Sequence, residues 1–168
     1  MKKLLVAAVA LASLGFAAPA AAGVYGSIGY SEYRIDNFEI DSATVRVGWD
    51  SESWWGVEAE ASFGVEDDTS GGVTVDLNSD LAVYAKATLP LSDRFEVFAR
   101  AGYGTTQVDV SPAVIADDNA DGFAWGVGAQ FNLTENDGVR FDWTSRDVED
   151  DFGDELTSWS LSYVRRFR

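Results

Sequence analysis

The 168-residue sequence contains no cysteine and no histidine. Without cysteine, the chain cannot form a disulfide framework, a thiol nucleophile or a zinc–thiolate site. Without histidine, it lacks the commonest general base and metal ligand, so most hydrolase and acyltransferase sites cannot be assembled. The two absences predict a protein that is not an enzyme and that uses no cofactor.

Long apolar runs are also absent after Gly23, because charged residues or glycines interrupt every such run within a few positions. A helix needs about 20 apolar residues to cross a bilayer, so no segment of this region qualifies. Only helices and closed barrels satisfy every backbone polar group in lipid. If the chain enters a membrane, it therefore does so as the strands of a barrel.

The start of the chain is typical of an export signal. Lys2 and Lys3 precede an apolar stretch over residues 4–16, and the small residues 20–22 follow. This apolar stretch is too short for a membrane-spanning helix. The pattern predicts a signal peptide over residues 1–22 and a single exported domain over residues 23–168.

Alternation with a period of two dominates the rest of the sequence and predicts eight strands. The predicted strands cover residues 24–33, 42–50, 54–65, 81–89, 94–107, 122–133, 139–146 and 156–167. Short turns at 51–53, 90–93 and 134–138 alternate with long connections at 34–41, 66–80, 108–121 and 147–155. This arrangement is typical of an all-β, eight-stranded antiparallel up-and-down transmembrane β-barrel with periplasmic turns and extracellular loops.

Four pairs of aromatic residues, whose members are eight positions apart, support a membrane location. Eight residues of a strand tilted by about 40° rise roughly 20 Å, close to the apolar band of about 25 Å around a membrane barrel. Aromatic rings prefer the two edges of that band. The predicted aromatic girdles comprise Trp55 with Phe63, Phe95 with Tyr103, Phe123 with Phe131, and Trp159 with Phe167.

The alternation alone does not say which face points inward. A soluble lipocalin-like barrel in the periplasm would bury the apolar face and bind an apolar ligand. Glycines on the polar face suit a narrow, crowded lumen, and a soluble core has no reason to place rings at two heights. These features favour the membrane barrel.

Charged residues alternate onto the face assigned to the lumen. They are Arg46, Glu58, Glu60, Lys86, Glu96, Arg100, Arg140 and Asp142. Enclosed charges must be paired, and barrels of this size are filled by their own side chains, so an ion-pair network that plugs the lumen is expected. The alternative is a narrow ion path, which would make the protein a porin-like channel.

Negative charge is concentrated in the predicted long loops. These four connections hold 18 of the 28 acidic residues but a single basic residue, Arg34. Nucleic acid is therefore excluded as a partner, whereas divalent cations could bridge the loops to the anionic lipopolysaccharide surface.

A calcium site is a further hypothesis. The positions of Asp117, Asn119 and Asp121 before Gly122 match the first half of a calcium-binding loop. The closing glutamate of an EF-hand is absent, because Gly128 occupies its position.

The signal peptide, the eight alternating segments, the acidic loops and the aromatic last strand together resemble the small outer-membrane β-barrel family. Relatives include outer membrane proteins A and X and the opacity-type proteins. In that family the last strand ends in an aromatic residue and is read by the barrel assembly machinery. Trp159, Leu161, Tyr163 and Phe167 match this pattern, whereas Arg165 and the terminal Arg168 depart from it.

The sequence therefore predicts a bacterial outer-membrane protein that is embedded in lipid and lipopolysaccharide. We expect a non-enzymatic structural or surface-interaction role for the acidic loops. Because a closed barrel has no free strand edge, a monomer is expected.

Overall fold

The computed structural model describes residues 23–35, 38–65, 68–70, 73–111, 118–148 and 155–167. The predicted signal peptide, residues 1–22, lies outside the described residues. Within these ranges no helix is long and apolar enough to cross a membrane. The strands are β1 (Val24–Ile35), β2 (Phe38–Asp50), β3 (Trp55–Gly64), β4 (Asp68–Ser70), β5 (Val73–Pro90), β6 (Phe95–Ser111), β7 (Asp118–Asn132), β8 (Asp137–Val148) and β9 (Glu155–Phe167).

Eight of these strands form a closed antiparallel barrel, as the sequence predicted. Each barrel strand pairs with the next one along the chain, and β3 pairs directly with β5 past the three-residue β4. The first and last strands close the ring in a register that runs from Val24 opposite Phe167 to Arg34 opposite Thr157. Closure leaves the barrel wall without a free edge.

The barrel is polar inside and apolar outside. Along β3, exposed and buried residues alternate, with Glu58 and Glu60 inside and Val57 and Ala59 outside. The same contrast holds elsewhere, since Val83 is 64% exposed and Arg140 only 1%. An apolar outer surface of this kind requires lipid rather than water around it.

The three short connections form tight turns that are held by hydroxyl groups. The Ser51 hydroxyl accepts the Ser53 amide at 3.1 Å, and the Ser92 hydroxyl accepts the Phe95 amide at 3.0 Å. In the third turn the Thr134 hydroxyl accepts the Asp137 amide at 3.0 Å. Serine and threonine at these positions thus replace the lost strand pairing at this end of the barrel.

Several strands are longer than predicted. β5 begins at Val73 rather than at residue 81, and β6 continues to Ser111. Parts of the predicted connections 66–80 and 108–121 are therefore strand, with a register shift between Leu77 and Ser79. Both extensions still alternate in sequence, with Val73, Val75 and Leu77 on β5 and Val108 and Val110 on β6. Val75 is directly opposite Val110 and Leu77 is directly opposite Val108, so the period-two pattern continues past the predicted ends of both strands.

Candidate functional site

The middle of the lumen holds three arginines and three carboxylates. They come from β2, β3, β6 and β8, and every one of them is buried. The six residues are Arg46, Arg100, Arg140, Glu58, Glu60 and Asp142. We call this group the middle layer, and its formal charges cancel.

Glu58 lies at the centre of the middle layer. It accepts hydrogen bonds from Arg100 Nη1 at 2.8 Å and from Arg140 Nη1 and Nη2 at 2.5 and 3.1 Å. Glu60 accepts from Arg46 Nε at 2.5 Å and Arg100 Nη1 at 2.7 Å. Asp142 accepts from Arg140 Nε at 2.9 Å and Arg100 Nη2 at 3.1 Å. Each carboxylate thus contacts at least two guanidinium groups, which offsets the cost of enclosing it.

Hydroxyl groups accept further hydrogen bonds from two of these arginines. Arg46 donates to Ser162 at 2.7 Å and to Ser160 at 3.0 Å, both on β9. Arg100 donates to the Thr144 hydroxyl on β8 at 2.6 Å. The layer therefore ties strands from opposite sides of the barrel together.

A second ion pair lies towards the end of the barrel that carries the short turns. Lys86 Nζ is 2.8 Å from Asp50 Oδ1 and donates to the Tyr25 hydroxyl at 2.9 Å. Tyr25 in turn donates to Glu58 at 2.7 Å. We call Lys86 with Asp50 the short-turn layer, which is again neutral and is linked to the middle layer through Tyr25.

A third ion pair lies towards the end with the long connections. Arg146 pairs with Asp80, which also accepts hydrogen bonds from the Thr106 hydroxyl at 2.6 Å and the Tyr33 hydroxyl at 3.1 Å. We call Arg146 with Asp80 the long-connection layer, and the cavity between it and the middle layer, beside Tyr84, measures about 10 Å³. That is about the room needed by one water molecule.

Aromatic rings fill the space between the layers, and glycines leave room for them. The Arg140 guanidinium lies 4.0 Å from the centre of the Phe98 ring, and Arg100 lies 4.3 Å from the Tyr84 ring. A Cβ atom at Gly48 would lie 2.3 Å from the Tyr25 ring, closer than atoms can pack. The lumen is therefore filled by its own side chains.

The structure brings seven of the eight predicted lumen residues into these layers. Six form the middle layer, and Lys86 belongs to the short-turn layer. Glu96 lies apart, at the rim with the short turns, where it pairs with Arg166 at 2.6 Å.

Sequence reasoning missed four of the residues in the layers. Asp50 and Arg146 lie an even number of positions from inward-facing residues of their own strands, Arg46 and Asp142. Asp80 likewise lies an even number of positions from Lys86 on β5. Tyr25 has the same parity as the buried Ser27. These residues could have been found by assigning every second residue of each strand, up to its ends, to the lumen.

The residues of the predicted aromatic girdles lie on the outer face. Phe95 is directly opposite Phe131, and Tyr103 is directly opposite Phe123, so these two pairs align at two heights on β6 and β7. All four side chains are exposed, as are Trp55 and Trp159, while Phe63 and Phe167 are half-buried. Rings at two matched heights suit the two edges of an apolar band.

The predicted calcium ligands are only partly described. Asp117 lies outside the described residues, and so does the side chain of Asn119. Asn119 and Asp121 belong to β7, where they pair with Gln107 and Thr105 of β6. The described part of the chain holds no cluster of three acidic side chains arranged for a metal ion. Calcium binding stays a prediction.

Asp137, at the end of the barrel with the short turns, is held by its neighbours. Its carboxylate accepts hydrogen bonds from the Tyr163 hydroxyl, from Thr134 at 2.9 Å and from Arg165 at 2.9 Å. The hydrogen bond from Tyr163 is the largest reason that the pKa of Asp137 lies below its ordinary value. Asp137 thus fixes the last short turn to β9.

The family of the chain follows from a comparison with protein-family models. The model described as the outer membrane protein beta-barrel domain matches residues 4–167. The chain belongs to this family. The match confirms the resemblance to small outer-membrane β-barrels and supports an outer-membrane location. A comparison with curated proteins gives no match.

Solved structures of the same architecture support the fold. The attachment invasion locus protein Ail of Yersinia pestis is 17% identical, with a TM-score of 0.66 over 88% of this chain and 100% of that chain. The outer membrane protein OprG of Pseudomonas aeruginosa is 11% identical, with a TM-score of 0.59 over 86% and 97%. The outer membrane enzyme PagL is 17% identical, with a TM-score of 0.51 over 86% and 99%. At these identities the similarity extends to the fold alone.

Proposed function

We propose that this outer-membrane β-barrel is a non-enzymatic surface protein whose barrel is a closed stem and whose acidic extracellular connections make its contacts. The filled lumen is the observation that carries this proposal. Three neutral layers of buried ion pairs occupy the interior from Asp50 to Asp80. A stem of this kind leaves the extracellular surface as the place where function resides.

The chemistry of the described residues supports a role without catalysis. Glu58 and Glu60 are two residues apart on β3, yet both are buried and bound to arginines. A general acid or base needs a reachable proton, which these groups do not offer. The sequence also contains no histidine or cysteine. Because PagL shares the fold, the absence of enzyme activity rests on these residues and not on the architecture.

A narrow porin-like channel has less support. Ions would have to pass Arg100, which contacts Glu58, Glu60 and Asp142 together. Opening a path would separate buried charges, at a cost of several kcal/mol. A soluble periplasmic barrel is not favoured either, because the outer face is apolar.

The charge of the loops indicates the partners of the surface. Ail was crystallised in complex with sucrose octasulfate, a polyanion that mimics heparin. In this chain the long connections predicted from the sequence hold 18 acidic residues and one basic residue, so a polyanion would be repelled. We propose instead a cationic partner, or divalent cations that bridge the loops to lipopolysaccharide.

Export and assembly complete the proposal. Residues 1–22 would direct the chain across the inner membrane, and the aromatic last strand would be read by the barrel assembly machinery. Each barrel strand is paired on both sides, which supports a monomer as the functional form.

The surface role is testable on Gram-negative cells that display the protein. We expect them to bind fluorescent polylysine more than cells without it, and not to bind fluorescent heparin at physiological salt. Replacing the six acidic residues in the range 147–155 by their amides should remove most of the additional polylysine binding. Neutralising Glu52, Asp93 and Glu135 in the periplasmic turns is the matched control and should change nothing. Heparin binding, or polylysine binding that is unaffected in the loop variant, would contradict the proposal.

A further inference from the structure

The lumen has a small cavity between the middle layer and the long-connection layer. Its volume is about 10 Å³, and Glu60, Tyr84 and Arg146 are among the residues that line it. All three side chains are buried, with exposed fractions of 6%, 1% and 3%. One water molecule needs about 10–15 Å³ of such space, so the cavity has the size of a single water.

Tyr84 brings a hydroxyl group without a partner to this cavity. The hydroxyl is buried, and none of the described residues forms a hydrogen bond with it. The ring is held in place by Arg100, whose guanidinium carbon lies 4.3 Å from the ring centre. Buried hydroxyl groups in proteins are normally bonded to protein or to ordered water, because an unpartnered one is costly. The Tyr84 hydroxyl therefore indicates a partner inside the cavity.

Arg146 brings an unused donor to the same cavity. Its two terminal nitrogens both donate to Asp80, and Nη1 donates to the Thr106 hydroxyl as well. The third nitrogen, Nε, is buried and has no hydrogen-bond partner in the described part of the chain. The ion pair with Asp80 thus leaves one N–H of Arg146 without an acceptor.

Glu60 brings an acceptor from the middle layer. The hydrogen bonds that it accepts from Arg46 and Arg100 both end on Oε2, at 2.5 and 2.7 Å. Oε1 is the carboxylate oxygen that these two bonds do not use. The cavity is therefore lined by two hydrogen-bond donors of one region and by a carboxylate of the other.

The charges around the cavity favour a neutral and polar occupant. The guanidinium of Arg146 would repel a cation, and the carboxylate of Glu60 would repel an anion. An apolar molecule would leave the Tyr84 hydroxyl and Arg146 Nε without partners. Water is neutral, fits the volume, and both donates and accepts hydrogen bonds.

We propose that one ordered water molecule occupies this cavity and bridges the long-connection layer to the middle layer. The water accepts hydrogen bonds from Arg146 Nε and the Tyr84 hydroxyl, and it donates one to Oε1 of Glu60. Tyr25 already links the short-turn layer to the middle layer. With the bridging water, the three layers form one connected hydrogen-bond network through the stem, independently of the surface role of the loops.

A crystal structure of the refolded wild-type protein, at a resolution that shows ordered water, tests the site directly. We expect one water peak within hydrogen-bond distance of Tyr84 Oη and Arg146 Nε. Soaking the crystals in bromide distinguishes water from an anion, because bound bromide gives an anomalous signal. An empty cavity, or a bromide peak within it, would overturn the proposal.

Substitution of Tyr84 tests the site in solution, because a bonded hydroxyl and an unpartnered one predict different results. Tyr84→Phe removes a hydroxyl bonded to the water, so the equilibrium constant for unfolding in phospholipid vesicles should rise about two- to tenfold. Removal of an unpartnered buried hydroxyl would leave this constant unchanged or lower it. Tyr103→Phe makes the same change on the exposed outer face and is the matched control, which should change nothing. An unchanged or lower constant for Tyr84→Phe would overturn the proposed bridge.

Discussion

At the residue scale, the interior depends on charges that cannot be removed singly. Glu58 binds Arg100 and Arg140 in a space closed to water, and both guanidinium groups rely on it for neutralisation. A buried ion pair adds little net stability over an apolar pair of the same size. Loss of one partner, in contrast, leaves a buried charge without compensation, and that asymmetry makes the middle layer fragile to single substitutions.

Glu58→Gln should therefore destabilise the protein by about 3–5 kcal/mol, because it leaves the arginines of the middle layer with one negative charge too few. Reversible urea unfolding in phospholipid vesicles would measure the loss. Glu52→Gln is the matched control, since it makes the same chemical change in an exposed turn and should cost less than about 0.5 kcal/mol. Equal stability of the two variants would contradict the role given to the middle layer.

The sequence predicted which face of a strand each residue lies on, but it did not predict every residue's ion-pair partner. The parity of an alternating strand places Arg46 or Lys86 inside with no further information. Nothing in the sequence says that Arg146 pairs with Asp80, which is 66 residues away, because that contact depends on the register of every strand between them. Glu96 has the inward parity too, but the lumen ends there and Arg166 at the rim becomes its partner.

At the scale of the strand, close packing in the lumen restricts which residues are tolerated as strictly as ion pairing does. Gly48 on β2 faces the ring of Tyr25 on β1, and Tyr25 carries hydrogen bonds to Lys86 and Glu58. A side chain at position 48 would push this ring out of its place between two ionic layers. The glycine is thus required by close approach within the lumen.

Gly48→Ala should cost about 1–3 kcal/mol, the usual range for overpacking a filled interior. Gly26→Ala on the neighbouring strand is the control, because its Cβ would lie at an ordinary 3.7 Å from the Phe167 ring. Thermal unfolding of both variants in the same detergent would compare them. In a protein that already carries Tyr25→Ala, Gly48→Ala should lower the free energy of unfolding much less. The same loss of stability with and without the Tyr25 ring would refute the steric explanation.

The strands were predictable where they contact lipid and less so beyond it. The segment predicted over residues 122–133 matches the membrane part of β7, but the strand itself begins at Asp118. The short β4 carries no alternation at all, because three residues outside the membrane need none. Turn positions were close to those observed, since serine, threonine and aspartate mark them by local hydrogen bonding.

At the scale of the whole molecule, the neutral lumen and the negatively charged connections are separate regions. The lumen is neutral in each layer, and the described basic residues outside it pair with acids, apart from Arg94. The four long connections predicted from the sequence hold 18 of the 28 acidic residues and one basic residue. The eight-stranded architecture followed from periodicity and aromatic spacing, whereas the contacts of the extracellular surface depend on loops whose sequence is weakly constrained by physics.

The closed lumen is the central claim, and planar-bilayer recording of the purified, refolded protein tests it most directly. Because three neutral layers fill the lumen between Asp50 and Asp80, we predict that the wild type gives no reproducible conductance step above the bilayer leak. Stable open steps that recur in independent insertions, and that are absent from a mock preparation, would contradict the closed stem and establish a channel instead.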